Sequence, residues 1–271
     1  MNGSGGARAA VAVTFDLDAE SVLLSAGLDL DHRASLRSHQ RYGPLTGVPR
    51  LLRVLAERDV RATFFVPGHS ADVFPDAVEA ILAAGHEIAH HGYLHRNLVG
   101  ATEAEEREEI ERGLAALQRF GVTPEGYRAP WWETTDRTHA LLAEYGFAYD
   151  SSLFDRDVPY VLPTTSGPIV EIPVSWVFDD WERYAFWPDV TGSGLIARPS
   201  DVVEAWWEEI LGYEAEGGVA VLVMHPFLSG RPARARAFGE LLDRLALRSD
   251  IRTATMREVA QRERGEGHGA G

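Results

Sequence analysis

Residues 10–18 decide the fold: Ala10-Val11-Ala12-Val13-Thr14-Phe15-Asp16-Leu17-Asp18. The first six are small, β-branched or aromatic, so they form a strand with apolar faces on both sides. Such a strand belongs in a parallel sheet covered by helices. The run ends on two acids. In an extended chain, residues two apart face the same way, so Asp16 and Asp18 are aimed into one space. Close like charges are costly without a cation beside them. The plainer alternative is that both acids cap the turn after the strand.

Outward from this strand, strand and helix signals alternate to the end of the chain. Val48, Leu51, Leu52 and Leu55 have helical spacing, and residues 62–66 are an apolar run closed by Pro67-Gly68. Further strands are predicted at 87–89, 126–129, 147–150, 169–174, 219–224 and 251–254. Helices are predicted at 75–84, 102–120, 137–145, 201–215, 235–247 and 257–262. The clearest helix starts at Thr102, where Thr102 and Glu105 form a capping-box pattern, and Gly121 closes it. This amounts to about seven or eight β/α units, a single α/β barrel of parallel strands. No repeat or low-complexity linker divides the chain. Residues 1–271 therefore read as one domain, with flexible tails at 1–9 and 263–271. Two segments break the rhythm, 20–47 and 176–194, and each is expected to cover one end of the barrel.

Composition narrows the function classes. The chain has 271 residues, 45% apolar and 25% charged, an ordinary globular balance. Its 26 basic and 41 acidic residues give a net charge of −15, which repels phosphate backbones and anionic lipid heads. Nucleic acid and membranes are therefore not expected partners. No apolar run approaches the ~20 residues of a bilayer span. Cysteine is absent, which excludes disulfides, thiolate ligands and a cysteine nucleophile. All the basic residues are arginine, which excludes a catalytic lysine. The first ten residues lack the apolar core of a signal peptide, so a cytoplasmic location is expected.

The next cluster is His86-Glu-Ile-Ala-His90-His91-Gly-Tyr-Leu-His95, which holds four of the ten histidines. Neutral imidazole is the commonest side-chain ligand for divalent metals. His86 and His90 lie in or beside a predicted strand, where i and i+4 are about 13 Å apart. They are assigned to packing. His91 leaves the strand and Gly92 to His95 can form one helical turn, so His91/His95 is the better ligand pair. Other polar residues close other strands: Arg128, Asp150, Glu171 and His225. Each alone reads as a solvated turn. Together they fit the rule that α/β barrels build sites at the C-terminal ends of their strands.

Thr14-Phe-Asp16-Leu-Asp18, His91-Gly-Tyr-Leu-His95, Tyr127-Arg128-Ala-Pro130 and Met224-His225-Pro226 occur in the order and spacing of the polysaccharide deacetylases, carbohydrate esterase family 4. The resemblance covers residues 10–260. It implies a distorted (β/α) barrel that hydrolyses N-acetyl groups with one divalent metal, commonly zinc. It implies Asp18, His91 and His95 as metal ligands and Asp16 as general base. It further implies His225 as the catalytic histidine, Arg128 as the residue holding the base, and Asp150 as the acid orienting the histidine. The chain departs from the family where Leu17 separates two acids that are usually adjacent. Ala19-Glu20 follows them in place of Gly, Trp131-Trp132 replaces Tyr-Gly, and the fourth-motif Asp-Trp is not found. These departures resemble a branch near cyclic-imide hydrolases and allantoinase-like enzymes.

The implied chemistry is coherent. One Asp and two His leave open positions on a zinc ion for water and a carbonyl oxygen. Asp16 can take the proton and His225 can protonate the leaving nitrogen. Trp131, Trp132 and Trp176, with Trp181, Tyr184 and Trp187, form either a wall for a sugar ring or flat imide, or ordinary core. The expected activity is hydrolysis of a non-peptide amide, with an N-acetylated sugar ahead of a cyclic imide or ureide. A carbohydrate-binding protein with an inactive site is the non-enzyme alternative. The expected partner is a small-molecule or carbohydrate substrate; homo-oligomerisation is left open.

Overall fold

The computed structural model describes residues 9–186 and 195–266; Trp187 lies outside them. The strands are β1 (Ala9–Asp16), β2 (Thr63–Val66), β3 (Glu87–His90), β4 (Gly126–Tyr127), β5 (Tyr149–Asp150), β6 (Tyr160–Leu162), β7 (Ile169–Glu171), β8 (Val219–Met224) and β9 (Ile251–Ala254). They form one curled sheet in the order β6-β7-β5-β4-β3-β2-β1-β8, with β9 beside β1. Among the described residues eight strands run parallel; β6 alone is antiparallel, paired with β7. This is the expected parallel (β/α) barrel. It is distorted: among the described residues the far edges meet through a single bridge, Asp179 to Val223, beyond the end of β7.

Residue size and parity on β1 explain the two sides of the sheet. Val11, Val13 and Phe15 join the larger core under the helices, with Phe64, Ile88 and Leu222. Ala12 faces the barrel interior with Phe65, Ala89, Tyr149, Val170, Val221 and Met256. Asp16 has the parity of Ala12 and therefore opens to the interior. Register then brings the strand ends level. Asp16 lies opposite Phe65, Phe15 opposite Met224, and His90 opposite Tyr127. The residues just past those ends, among them His91, Arg128 and His225, share the same mouth.

The helix Glu103–Gln118 begins as its capping box requires. Thr102 Oγ1 accepts the Glu105 N–H, and Glu105 Oε2 accepts the Thr102 N–H at 2.8 Å. The last helix runs Met256–Glu266, so residues 263–266 are helical where a tail was expected. Arg and Glu are good helix formers that extend a helix already anchored by buried Val259 and Ala260. At the other end β1 begins at Ala9, the last residue of the other expected tail.

Several short elements were not legible in the sequence. The segment 20–47 contains helices Ser21–Ser25 and Ala34–Tyr42 followed by a wide turn, Gly43–Gly47. Ala34–Tyr42 buries only Gln40, so it carries no apolar stripe to read. Strand β6 is an edge strand whose Val161 faces solvent. Val22 from the first long segment and Trp176, Asp179, Trp181 and Glu182 from the second line one cleft, so both segments reach the same mouth. No described helix is long and apolar enough to cross a membrane.

Gly113 is where the helix Glu103–Gln118 meets the end of β3. A Cβ there would run into His90 Nε2 and stand 2.7 Å from Gly92 O. Gly113→Ala should therefore destabilise by about 1–3 kcal/mol, the cost of overpacking, measured as a lower denaturant midpoint. Gly212, within the helix Pro199–Glu216, has open space where its Cβ would stand. Gly212→Ala should shift the midpoint the other way, by about 0.4–1 kcal/mol. Shifts of the same sign in both variants would remove the packing argument.

Candidate active site

Asp18 is fixed by its backbone. Leu17 N–H donates to Phe65 O at 2.9 Å and keeps the chain extended past β1. Asp18 O then accepts from Ser21 Oγ at 2.6 Å and Ser70 Oγ at 2.7 Å. Its carboxylate is 1% exposed, and neither oxygen has a hydrogen-bond partner. A buried carboxylate left in that state is strongly disfavoured without a cation.

His91 and His95 supply the other side. His91 Nδ1 donates to Arg128 O at 2.7 Å, which leaves its Nε2 lone pair facing Asp18 Oδ1 at 3.5 Å. His95 Nε2 lies 3.6 Å from the same oxygen. Donor atoms of Asp18, His91 and His95 all lie within 4.8 Å of one another. Burial pulls the His91 pKa down to about 3 and His95 well below the usual imidazole value. Both are neutral at pH 7 and keep a lone pair for a metal. One carboxylate and two neutral imidazoles are the donor set of a catalytic zinc site, so these residues fit a divalent ion.

The turn between the two histidines is not helical, contrary to expectation. Gly92 has φ +67° and His95 φ +58°. The reason lies in who takes the N–H groups. Glu109 Oε2 accepts from both Tyr93 and Leu94 N–H at 2.9 Å, and His90 Nδ1 accepts from Gly92 N–H at 3.1 Å. Side chains thus replace the helical carbonyls. His90 is a packing residue as assigned, donating from Nε2 to Ile110 O at 3.0 Å. His86 Nδ1 accepts the Ala62 N–H at 3.3 Å.

Asp16 is held by Arg128, whose guanidinium is wholly buried. Arg128 Nη1 donates to Asp16 Oδ1 at 2.7 Å and to Thr14 Oγ1 at 3.0 Å. The guanidinium lies over the Phe65 ring at 3.9 Å. The other Asp16 oxygen stands 3.8 Å from His91 Nε2.

His225 approaches from the opposite wall, with Nε2 3.5 Å from Asp18 Oδ2. Its Nδ1 is 2.6 Å from Asp180 Oδ1, and its backbone N–H donates to the same carboxylate. Ser229 Oγ donates to the second Asp180 oxygen. Burial works against the imidazolium, but Asp180, Asp179 and Asp18 outweigh it and raise the His225 pKa to about 10. The acid that orients His225 is therefore Asp180, and the assignment of Asp150 to that place is corrected. Asp150 accepts from Ser152 Oγ and pairs with His139. The sequence reading missed Asp180, and the one signal that marks it is the pair Asp180-Trp181, an acid before an aromatic. It sits in an irregular segment joined to the sheet by one bridge, so no periodicity marked it as a strand end.

The tryptophans flank these groups. Trp131 packs on His95 and Trp181 on His225, with ring centroids 5.5 and 5.2 Å apart. Trp132, Trp176 and Phe154 form a cluster at the rim, with Trp176 half exposed. Trp131 and Trp132 both have positive φ, 61° and 54°. Such backbone costs of order 1 kcal/mol or more per residue and concentrates at functional sites. Tyr184 and Trp206 are core residues.

A family model described as polysaccharide deacetylase matches residues 42–149. A peptidoglycan deacetylase of Helicobacter pylori is 28% identical over 281 aligned positions, 89% of this chain and 96% of that protein. A crystal structure from Mycobacterium smegmatis, named as a polysaccharide deacetylase, superposes with a TM-score of 0.95 at 49% identity, covering 98% of this chain and 94% of the other. The crystal structure of PuuE allantoinase gives 0.82 at 25% identity, covering 96% and 91%. With this overlap along nearly its whole length, the chain belongs to the polysaccharide deacetylase family, in a branch whose fold it shares with an allantoinase.

Proposed function

We propose that this protein hydrolyses the acetamide of an N-acetylated amino sugar or its short oligomer, with one divalent ion, zinc by its donor set, held by Asp18, His91 and His95. The observation that carries this reading is the buried Asp18 carboxylate, with no hydrogen bond to either oxygen and faced by two neutral imidazoles. An ion bound there supplies a Lewis acid that polarises the substrate carbonyl and acidifies water.

The chain's own residues do the proton chemistry. Asp16, pinned by Arg128 through one oxygen, has the other free to accept a proton from the attacking water. An amide nitrogen leaves poorly unless protonated. His225 Nε2 faces the same space and is kept charged by Asp180, so it donates that proton. Trp131 and Trp181 exclude water behind the two histidines and give a ring a surface to stack on. A second reading, hydrolysis of a cyclic imide or ureide, is supported by the likeness to an allantoinase and by the aromatic walls. Both substrates present a carbonyl to the same groups.

Elemental analysis should find about one divalent ion per chain fewer in His91→Ala and in His95→Ala than in the wild type. A metal content equal to that of the wild type in both variants would sink the ligand assignment. Asp16→Asn should keep the metal and lower kcat by roughly 10²-fold, the scale of a general base. Asp180→Asn and His225→Ala should lower kcat by a similar factor of about 10² with little change in KM. If Asp16→Asn instead strips the metal, the two aspartates exchange roles. Chitooligosaccharides, succinimide, hydantoin and allantoin assayed side by side with zinc-loaded protein decide the substrate. Turnover of the acetylated sugars is expected; turnover of a ring amide alone would replace it with the second reading.

A further inference from the structure

A second group of ligand-type side chains stands apart from the cleft. His139, on the helix Thr138–Glu144, lies over the ends of β5 and β7. Its Nε2 is 3.0 Å from Asp150 Oδ2 and 3.8 Å from Glu171 Oε2. One ligand atom from each residue lies within 4.8 Å of the others. Both carboxylates are wholly buried, and the imidazole is 14% exposed.

The two acids divide their oxygens in the same way. Glu171 Oε1 accepts the N–H groups of Ser152 and Leu153 at 3.1 and 2.9 Å. Asp150 Oδ1 accepts from Ser152 Oγ at 2.8 Å. The second oxygen of each is turned toward the imidazole. Glu171 Oε2 is buried and has no hydrogen-bond partner. With both acids ionised, an imidazolium here would still leave one negative charge buried beside it. A dication with a neutral imidazole would leave none. Burial and the adjacent Asp150 push the Glu171 pKa well above the usual carboxylate range. A shallow hollow lined by Asp136, His139, Leu162 and Thr164 gives the imidazole side a path to solvent.

We propose that His139, Asp150 and Glu171 form a second divalent cation site, sharing no residue with the Asp18 cluster. One nitrogen and two carboxylate oxygens suit zinc or manganese better than calcium or magnesium. The site is positional. Ser152 Oγ, which donates to Asp150, accepts the Ala129 N–H at 2.9 Å, so a bound ion would brace the segment carrying Arg128 and the two tryptophans.

The test begins with His91→Ala/His95→Ala, which silences the first cluster. Zinc titrated into it calorimetrically should still bind at one ion per chain, against two in the wild type. Adding His139→Ala should abolish that binding. The thermal midpoint of the double variant should rise by several degrees with saturating zinc, and the rise should vanish with His139→Ala. Retention of the zinc after His139→Ala, or no zinc in the double variant, would overturn the site and leave a proton-sharing network. If the triple variant does not fold, anomalous diffraction above the zinc edge from wild-type crystals gives the same decision. A peak between His139, Asp150 and Glu171 is expected; an occupied Asp18 cluster with no such peak refutes the proposal.

Discussion

The mouth of the barrel depends on one buried cation. Arg128 has no exposed surface, and an unpaired charge in that position would cost several kcal/mol. Its pairing with Asp16 is therefore obligatory, and Thr14 Oγ1 and the Phe65 ring complete its shell. The same residue's backbone carbonyl accepts the hydrogen bond of the His91 Nδ1–H. A single residue thus orients the proposed base through its side chain and a proposed ligand through its main chain.

What was legible in the sequence follows from where periodicity survives. Strands β1 and β8 are long and apolar, so they could be read, and the acids and the histidine at their ends came with them. Arg128 could be read because Tyr127-Arg128-Ala129-Pro130 is a compact motif. Asp180 could not, because its segment forms a short 3-10 turn, a single bridge and a four-residue helix in place of a strand. Asp150 was drawn into the site by its place at a strand end. Side-chain parity sent it the other way: Tyr149 fills the barrel interior, so its neighbour faces the outer helices. The turn at His95 failed for a related reason. Glu109, sixteen and fifteen residues from the N–H groups it binds, decides that backbone, and no local pattern records it.

The cleft joins two demands that usually conflict. Its floor is polar and charged, while its walls are tryptophan. Trp131 and Trp181 touch His95 and His225 from outside and shield them from bulk water, where electrostatic interactions would be weaker. The left-handed backbone at Trp131 and Trp132 is what turns those rings toward the cleft. The hydrogen bond from Ala129 N–H to Ser152 Oγ anchors that turn to the neighbouring strand end.

The place of β1 in the sheet has a consequence for biogenesis. The strand nearest the N-terminus lies between β2 and β8 and also pairs with β9 near its start. Thr14 Oγ1 donates to Leu222 O, 208 positions away. On the ribosome, β1 emerges before the other described strands and waits for its partners. Its edge stays unsatisfied until residues 219–224 and then 251–254 have been made. Such long-range closure is slow and leaves an apolar strand open to wrong partners in the meantime. Asp18, His91 and His95 sit at the ends of β1 and β3, which β2 joins, but His225 reaches them only once β8 has been laid beside β1. The complete mouth is therefore a late product of synthesis, present only in chains that have already closed the sheet.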